Sequence, residues 1–253
     1  MPELPVSVRV ALWVSAAWRT DRATSSVWSS ALADLDAVGG DVDVIDHWHS
    51  VGERALLVAL PRSGDQSGLP ACPPTSRLAA VDAGEALLAP GIGGLLVPTI
   101  TRFGPEGQAS SPDHGWRVDW RAHPADPVPV HVVTAIDLGT VRRSLAEGVL
   151  AATEALQASG GPAVPHRAPP QRGASSRWAL PDGIPAPVLE LLLRAATIES
   201  ACAEALASPA DGLTADRTRG REAALRTLRD RAEDCLESCT NLAVAVLAGW
   251  RPA

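Results

Sequence analysis

Lysine and tyrosine are absent from this chain, and phenylalanine and methionine occur once each, as Phe103 and Met1. All 22 basic residues are therefore arginine, and the aromatic load falls on eight tryptophans. Arginine replaces lysine on a solvated surface at little cost, though not at every site. The bias reads as the codon usage of a high-GC bacterial genome rather than as chemistry. Cysteine is scarce: Cys72, Cys202, Cys235 and Cys239 in 253 residues do not make a disulfide-dense secreted scaffold. No run of about 18 apolar residues is free of charge, so no transmembrane helix and no membrane partner are expected. The start, Met-Pro-Glu-Leu-Pro, has no basic n-region. The apolar run after it contains Arg9 and no convincing cleavage site before Trp18, so no secretory signal is expected. These absences place the protein in the cytoplasm with reduced thiols. A basic surplus is missing too. The formal charge is 22 − 29 = −7, which disfavours a general nucleic-acid binder.

What is present is the composition of a packed globular protein, 46% hydrophobic and 20% charged. The length fits one large domain or two small ones. Val6, Val8, Val10, Leu12 and Val14 alternate as a strand would, and the β-branched bias supports that reading. A helix capped by Ser25 or Ser26 is expected next, with Trp28, Ala31, Leu35 and Val38 inward and Gly39-Gly40 ending it. Asp41 to Trp48 reads as a second strand, parallel to the first through a right-handed crossover. Arg54 to Leu60 is a third strand covered on both faces. Pro61 to Ser76 is a loop, and Arg77 to Ala83 a short helix. Ala86 to Ala89 and Leu95 to Phe103 pair around Pro90-Gly91-Ile92-Gly93-Gly94, and Gly104 to Gly107 opens another connection. Trp116 to His123 is the clearest strand, with Trp116, Val118, Trp120 and Ala122 on one face.

The remainder reads as helix. Leu138, Val141, Leu145, Val149, Ala152 and Leu156 recur at helical steps. Ser159 to Arg177 is rich in Gly, Pro, Ser and Arg, a linker composition. Pro187 to Ala207 forms a second helix, with Leu189, Leu192, Leu193, Ala196 and Ala203 inward. A last one starts near Thr214 and runs to about Trp250, with a seam of Leu225, Leu228, Ala232, Cys235, Cys239, Leu242 and Val246. The acidic surplus lies in residues 1–160, which hold 11 Arg against 18 Asp and Glu.

Few segments carry chemistry. Asp41, Asp43, Asp46, His47 and His49 are ligand types for a divalent metal, and a strand would put Asp43, His47 and His49 on one face. No distant matched ligand is visible, and a solvated strand end is the plainer reading. The turn Pro90 to Gly94 exposes amides that can approach a phosphate, but it lacks a full G-x-G-x-x-G and a P-loop lysine. A tight turn between strands explains it as well. Arg117, Asp119, Arg121 and His123 line the polar face of a strand, where Arg117 and Arg121 can grip an anion or simply form cross-strand ion pairs. The loop Pro61-Arg62-Ser63-Gly64-Asp65 follows a buried strand end, which makes Arg62 and Asp65 ligand-binding candidates. Cys235 and Cys239 are not a redox C-x-x-C and sit on an apolar seam, as buried small hydrophobes do. Trp28, Trp116 and Trp120 read as core, and Trp48, between two histidines, as partly exposed. G-x-S-x-G, H-E-x-x-H and zinc-ribbon spacings are all missing, so no catalytic residue, metal or cofactor is assigned.

Three runs, VRVALWVSAAW from Val8 to Trp18, GERALLVALP from Gly52 to Pro61 and PGIGGLLVP from Pro90 to Pro98, resemble those of an uncharacterised protein family of high-GC bacteria. The resemblance covers the first half of the chain and implies no activity.

The expected fold is α+β, a mixed sheet in the N-terminal half packed against long C-terminal helices. A single domain over 1–253 is expected, with 1–158 as a sheet-containing part and 178–253 as a helical hairpin if it subdivides. The expected function is that of a non-catalytic cytoplasmic interaction or regulatory protein with a protein partner or a homodimer. The alternative is an enzyme or small-molecule binder with a pocket between sheet and helices.

Overall fold

The computed structural model describes residues 4–104, 115–159, 180–208 and 214–252. Residues 105–107 of the expected connection and 160–177 of the expected linker lie outside the described residues. The chain divides into two compact units, one drawn from Met1–Ala135, Ser175–Ile184 and Thr240–Ala253, the other from Ile136–Ala174 and Pro185–Cys239.

The first unit is built on a five-stranded mixed sheet. Its strands are β1 (Ala37–Gly40), β2 (Leu57–Ala59), β3 (Ala86–Leu88), β4 (Leu95–Phe103) and β5 (Gly115–His123), in the order β1-β5-β4-β3-β2. The pairs β2–β3, β3–β4 and β4–β5 are antiparallel, and only β1–β5 is parallel. β3 and β4 pair as the sequence predicts, and β5 carries the expected alternation, with Val118 and Trp120 buried and Arg117 and Arg121 exposed. β2 is buried throughout, as a strand covered on both faces must be.

The chain start is a helix, not a strand. α1 (Val6–Arg19) is buried on nearly every side: Val6, Val8, Val10, Leu12 and Val14 are inside, and so are Ser7, Arg9, Ala11 and Ser15. A helix enclosed all round has no polar stripe to reveal a 3.6-residue period. Its polar residues are spent on the sheet. The Ser15 hydroxyl accepts a hydrogen bond from Leu56 N–H at 3.2 Å. Ser7 donates from both N–H and hydroxyl to the Glu85 carboxylate, at 2.8 and 2.7 Å.

The expected capped helix shrinks to a turn at Thr24–Ser26 and the short α2 (Trp28–Ala31). Gly39-Gly40 ends no helix; it forms half of β1. Two aspartates bracket that strand. The Asp36 carboxylate accepts from Trp116 N–H at 2.8 Å, and the Asp41 carboxylate from Ala122 N–H at 2.9 Å. A short, glycine-rich strand of poor intrinsic propensity is thus pinned to β5 at both ends. Asp43–Ser50 is helix α3 rather than a strand, with Ile45 and Trp48 turned inward three residues apart. The expected crossover between neighbouring strands is therefore absent; the parallel partner of β1 is β5, far along the chain.

β2 is a sheet edge, and an unpaired edge invites pairing with another chain. Here the Asn241 side chain closes it: Oδ1 accepts from Val58 N–H and Nδ2 donates to Val58 C=O, both at 2.8 Å. α4 (Pro74–Ala83) and α5 (Val130–Thr134) complete the unit's labelled elements.

The second unit contains α6 (Leu138–Ser159), α7 (Ala186–Ala207) and α8 (Ala215–Leu247) as far as Cys239. α6 and α8 follow the expected spacing, with Leu145, Ala152, Leu225, Ala232, Cys235 and Cys239 buried, whereas α7 is turned so that Val188, Leu191 and Ala195 are buried beside the expected Leu192 and Ala196, and Leu189, Leu193 and Ala203 are half-buried. Cys202, Ala205 and Leu225 form a core cluster flanked by Leu156, Ile198, Leu206 and Leu228. Arg229 reaches from α8 to Glu199 of α7 at 2.9 Å.

Candidate functional site

The loop after β2 folds on itself. Arg62 and Asp65 exchange backbone hydrogen bonds of 2.9 and 3.0 Å, and the Arg62 guanidinium donates to the Asp65 carboxylate at 2.8 Å. Asp65 also accepts from Ser67 N–H at 3.1 Å. That amide, the Ser67 hydroxyl and the Arg62 charge together hold its carboxyl below the ordinary value.

On β5, Arg117 grips Asp119 in a two-point fork, Nε to Oδ2 and Nη2 to Oδ1, both 2.7 Å. The fork lies over Gly39 of β1, where a Cβ would come within 2.7 Å of both partners. The Arg117 fork lowers the Asp119 carboxyl. Arg121 is exposed and lies two residues further on the same face. β2 and β5 are separated by β3 and β4, a lateral distance of about 14 Å at strand spacing. The structure thus gives two separate ion pairs, Arg62–Asp65 and Arg117–Asp119, and does not bring the four ligand-binding candidates to one point.

The Pro90 to Gly94 turn does cradle an anion, and the anion is the chain's own. The Glu53 carboxylate accepts from Gly91 N–H at 2.5 Å and Ile92 N–H at 3.0 Å. Glu53 is buried, and loss of water raises its carboxyl despite the two amides that pull it down. An external phosphate would have to displace it. Nothing in the local sequence marks Glu53; its partner lies 38 residues away.

Helix α3 separates the acid–imidazole cluster. Asp43 and His47 lie one turn apart on the exposed side. His49 stacks on Trp18 at 4.7 Å, and its Nδ1 meets the Glu53 carbonyl at 3.2 Å. Among the described residues, no three His, Cys, Asp or Glu side chains gather at metal-binding distance. Trp48 is 5% exposed, so the expected exposure is corrected: it fills the inner face of α3.

A second buried charge group was not legible in the sequence. Glu85 sits against the first turn of α1, where Ser7 holds it. The Arg9 guanidinium pairs with Asp34 through Nη1, while its buried Nε and Nη2 have no hydrogen-bond partner. Burial raises the Glu85 carboxyl; the Ser7 hydrogen bonds and the Arg9 charge oppose that shift.

In the helical unit, Cys235 and Cys239 lie with their sulfur atoms 4.0 Å apart, free and buried. The contact with Cys235 and burial push the Cys239 thiol far up. Burial pushes Cys202 to about 11. Thiols held protonated are poor nucleophiles and poor metal ligands. α6 and α8 line a groove of about 390 Å³ whose lining includes Gly148, Ala151, Ala152, Ala155 and Ala224. Gly148 is the close approach: a Cβ there would lie 3.2 Å from Arg231 Cγ.

Residues 7–133 match the model of the Rv1486c-like protein N-terminal domain, and residues 139–237 match that of the Rv1486c-like protein C-terminal domain. The chain belongs to the Rv1486c-like protein family. The gap between the two matches contains the boundary between the compact units, at Ala135 and Ile136. The two ion pairs, the Glu53 turn and the Glu85 cluster all lie in the Rv1486c-like N-terminal stretch. The groove and the buried thiol Cys235 lie in the Rv1486c-like C-terminal stretch. No match is found among curated proteins or among solved structures.

Proposed function

We propose that this protein is a non-catalytic interaction or regulatory protein of the cytoplasm, and that its helical unit engages a protein partner or a second copy of itself. The observation that supports this reading is the α6–α8 groove. Its lining is mostly small residues, which let a partner side chain approach closely, together with the polar Ser144, Glu147, Thr227 and Arg231. An apolar centre with a polar rim is the anatomy of protein interfaces. The polar groups that catalysis would need are engaged within the chain, in Arg62–Asp65, Arg117–Asp119 and Glu53 with its turn. A reducing compartment is in keeping with Cys235 and Cys239 lying side by side unbridged. No described helix is long and apolar enough to cross a membrane. The charge of −7 favours a protein partner over a nucleic acid. The lysine-free composition supports a high-GC bacterial source.

The test is a tagged pull-down of the full chain from lysate of the native host, with light scattering on the purified protein. A reproducible stoichiometric partner, or a dimer, is expected. Ala151→Arg, at an exposed position of the groove lining, abolishes that association while changing stability by no more than about 0.5 kcal/mol. A strictly monomeric protein that captures no partner overturns the reading and favours the alternative, small-molecule binding or catalysis.

A further inference from the structure

A second cavity, of about 240 Å³, lies between the last turn of α7 and the first turns of α8. It goes beyond the interaction reading and uses a different helix pair from the α6–α8 groove. Its walls are Leu206 on α7, Ser208 just after that helix, and Thr218, Arg221, Glu222 and Leu225 on α8. Arg221 is 5% exposed, yet its guanidinium has no hydrogen-bond or ion-pair partner among the described residues.

The other arginines of this helix set the contrast. Arg219 holds Asp216, Arg226 holds Glu222 and Arg229 holds Glu199 and Glu233, and those three arginine side chains are 74%, 62% and 42% exposed. Of the other two exposed arginines of α8, Arg217 has no ion pair among the described residues and Arg231 reaches the Ser144 hydroxyl at 3.4 Å, so burial is what sets Arg221 apart. Unlike the Arg9 Nε and Nη2 atoms, the Arg221 nitrogens are not sealed from solvent, so its guanidinium tip is open to an anion that enters the cavity. Glu222, the carboxylate nearest in the chain, is engaged instead by Arg226 at 2.7 Å.

We propose that this cavity is a binding site for a small organic monocarboxylate, with the Arg221 guanidinium as its anchor. A guanidinium presents a planar fork that matches a carboxylate in two-point geometry. Thr218 lies one turn before Arg221 on the same helix face and offers a hydroxyl. Leu206 and Leu225 supply an apolar wall for a short hydrocarbon tail. With Glu222 neutralised by Arg226, Arg221 is left as a single positive charge in the cavity, which balances one negative charge and disfavours a dianion such as phosphate. A cavity of about 240 Å³ has room for a short-chain carboxylate of the size of butyrate or hexanoate.

The experiment uses the full chain, with acetate, butyrate, hexanoate, phosphate and chloride at matched ionic strength. Thermal melting and the Arg221 Nε–H resonance are followed for the wild type and Arg221→Gln. Butyrate or hexanoate is expected to raise the melting temperature and to move the Nε–H resonance; phosphate and chloride do neither. Arg221→Gln binds butyrate about ten- to a hundredfold more weakly, the loss expected for one charge-assisted fork. Without ligand, Arg221→Gln melts within about 2 °C of the wild type, because the guanidinium it removes holds no carboxylate among the described residues. An arginine that served structure alone would give a lowered melting temperature with no carboxylate response. That result, or an Nε–H resonance indifferent to every anion, overturns the proposal. Stabilisation by phosphate equal to that by butyrate overturns the assignment to monocarboxylates.

Discussion

Replacing Asn241 with alanine strips β2 of the side-chain clasp on Val58. Both Val58 backbone groups lose their partners at once, N–H and C=O, each now held at 2.8 Å. Val58 is fully buried, so water does not simply replace the amide. Leaving a buried backbone group unsatisfied costs about 1–3 kcal/mol. Two such groups, with some relaxation of the edge, give a loss of about 2–4 kcal/mol. For a chain of this size each kcal/mol lowers the melting point by about 2–4 °C, so a fall of about 4–16 °C is expected. Hydrogen exchange localises the effect. The Val58 amide exchanges faster by roughly thirtyfold or more. Leu57 and Ala59, whose amides alternate toward β3, serve as the internal control. A variant that melts within about 1 °C of wild type, with Val58 exchange unchanged, refutes the account of how this edge is closed.

Gly40→Ala is expected to destabilise by more than 2 kcal/mol, roughly, because φ is +84° and the new Cβ would sit 2.0 Å from the Trp120 carbonyl oxygen. Gly84→Ala, at φ +73° with open space around it, costs only about 1–2 kcal/mol; equal urea midpoints for the two variants would contradict the packing of β1 on β5. Glu85 and Glu53 both carry carboxyls raised above the ordinary 4.5 by burial. Their stability contribution is therefore full below 4.5 and is lost as pH rises through the raised values. Glu85→Gln flattens that decline in urea unfolding across the acid range, and a wild-type curve already flat there argues against a carboxyl shifted by burial. Arg62→Ala breaks a partly exposed pair and is expected to cost less than about 1 kcal/mol, and less still in high salt. A larger loss in chemical denaturation would give that loop a structural role beyond its own closure.

The parts of the fold visible in the sequence are those with a wet side. β5 alternates Val118 and Trp120 against Arg117 and Arg121 because one face meets solvent, and α6 shows its period because Arg142, Arg143, Glu147 and Glu154 are exposed opposite Leu145 and Ala152. α1 has no such side. Its valines fall on every second position by composition, and Ser7, Arg9 and Ser15 are polar residues kept inside by partners 78, 25 and 41 residues away. No local window contains those partners, so alternation and β-branching outweigh the true period. α3 reads as a strand for a related reason: Asp41 to Val44 alternates over four residues, too few to exclude a helix whose buried positions are Ile45 and Trp48. At the candidate sites the residue types were legible, but their engagement was not. Arg62 and Asp65 are close enough in sequence to foresee a pair; Glu53 at Gly91 and the solitary burial of Arg221 depend on tertiary geometry alone.

The Asn241 clasp also sets an order of events during synthesis. A ribosome delivers residues 1–135 first, then every residue of the helical unit, and only afterwards Thr240 and Asn241. While some 100 further residues are being added, at about 5–20 residues per second, the nascent sheet carries Val58 with its outward amide and carbonyl unclaimed. That interval lasts roughly 5–20 s, long compared with the microseconds in which a hairpin forms. The edge of the sheet-containing unit therefore stays unclasped until Asn241 has been synthesised, and in a polysome neighbouring nascent chains would present the same unclaimed edge to one another.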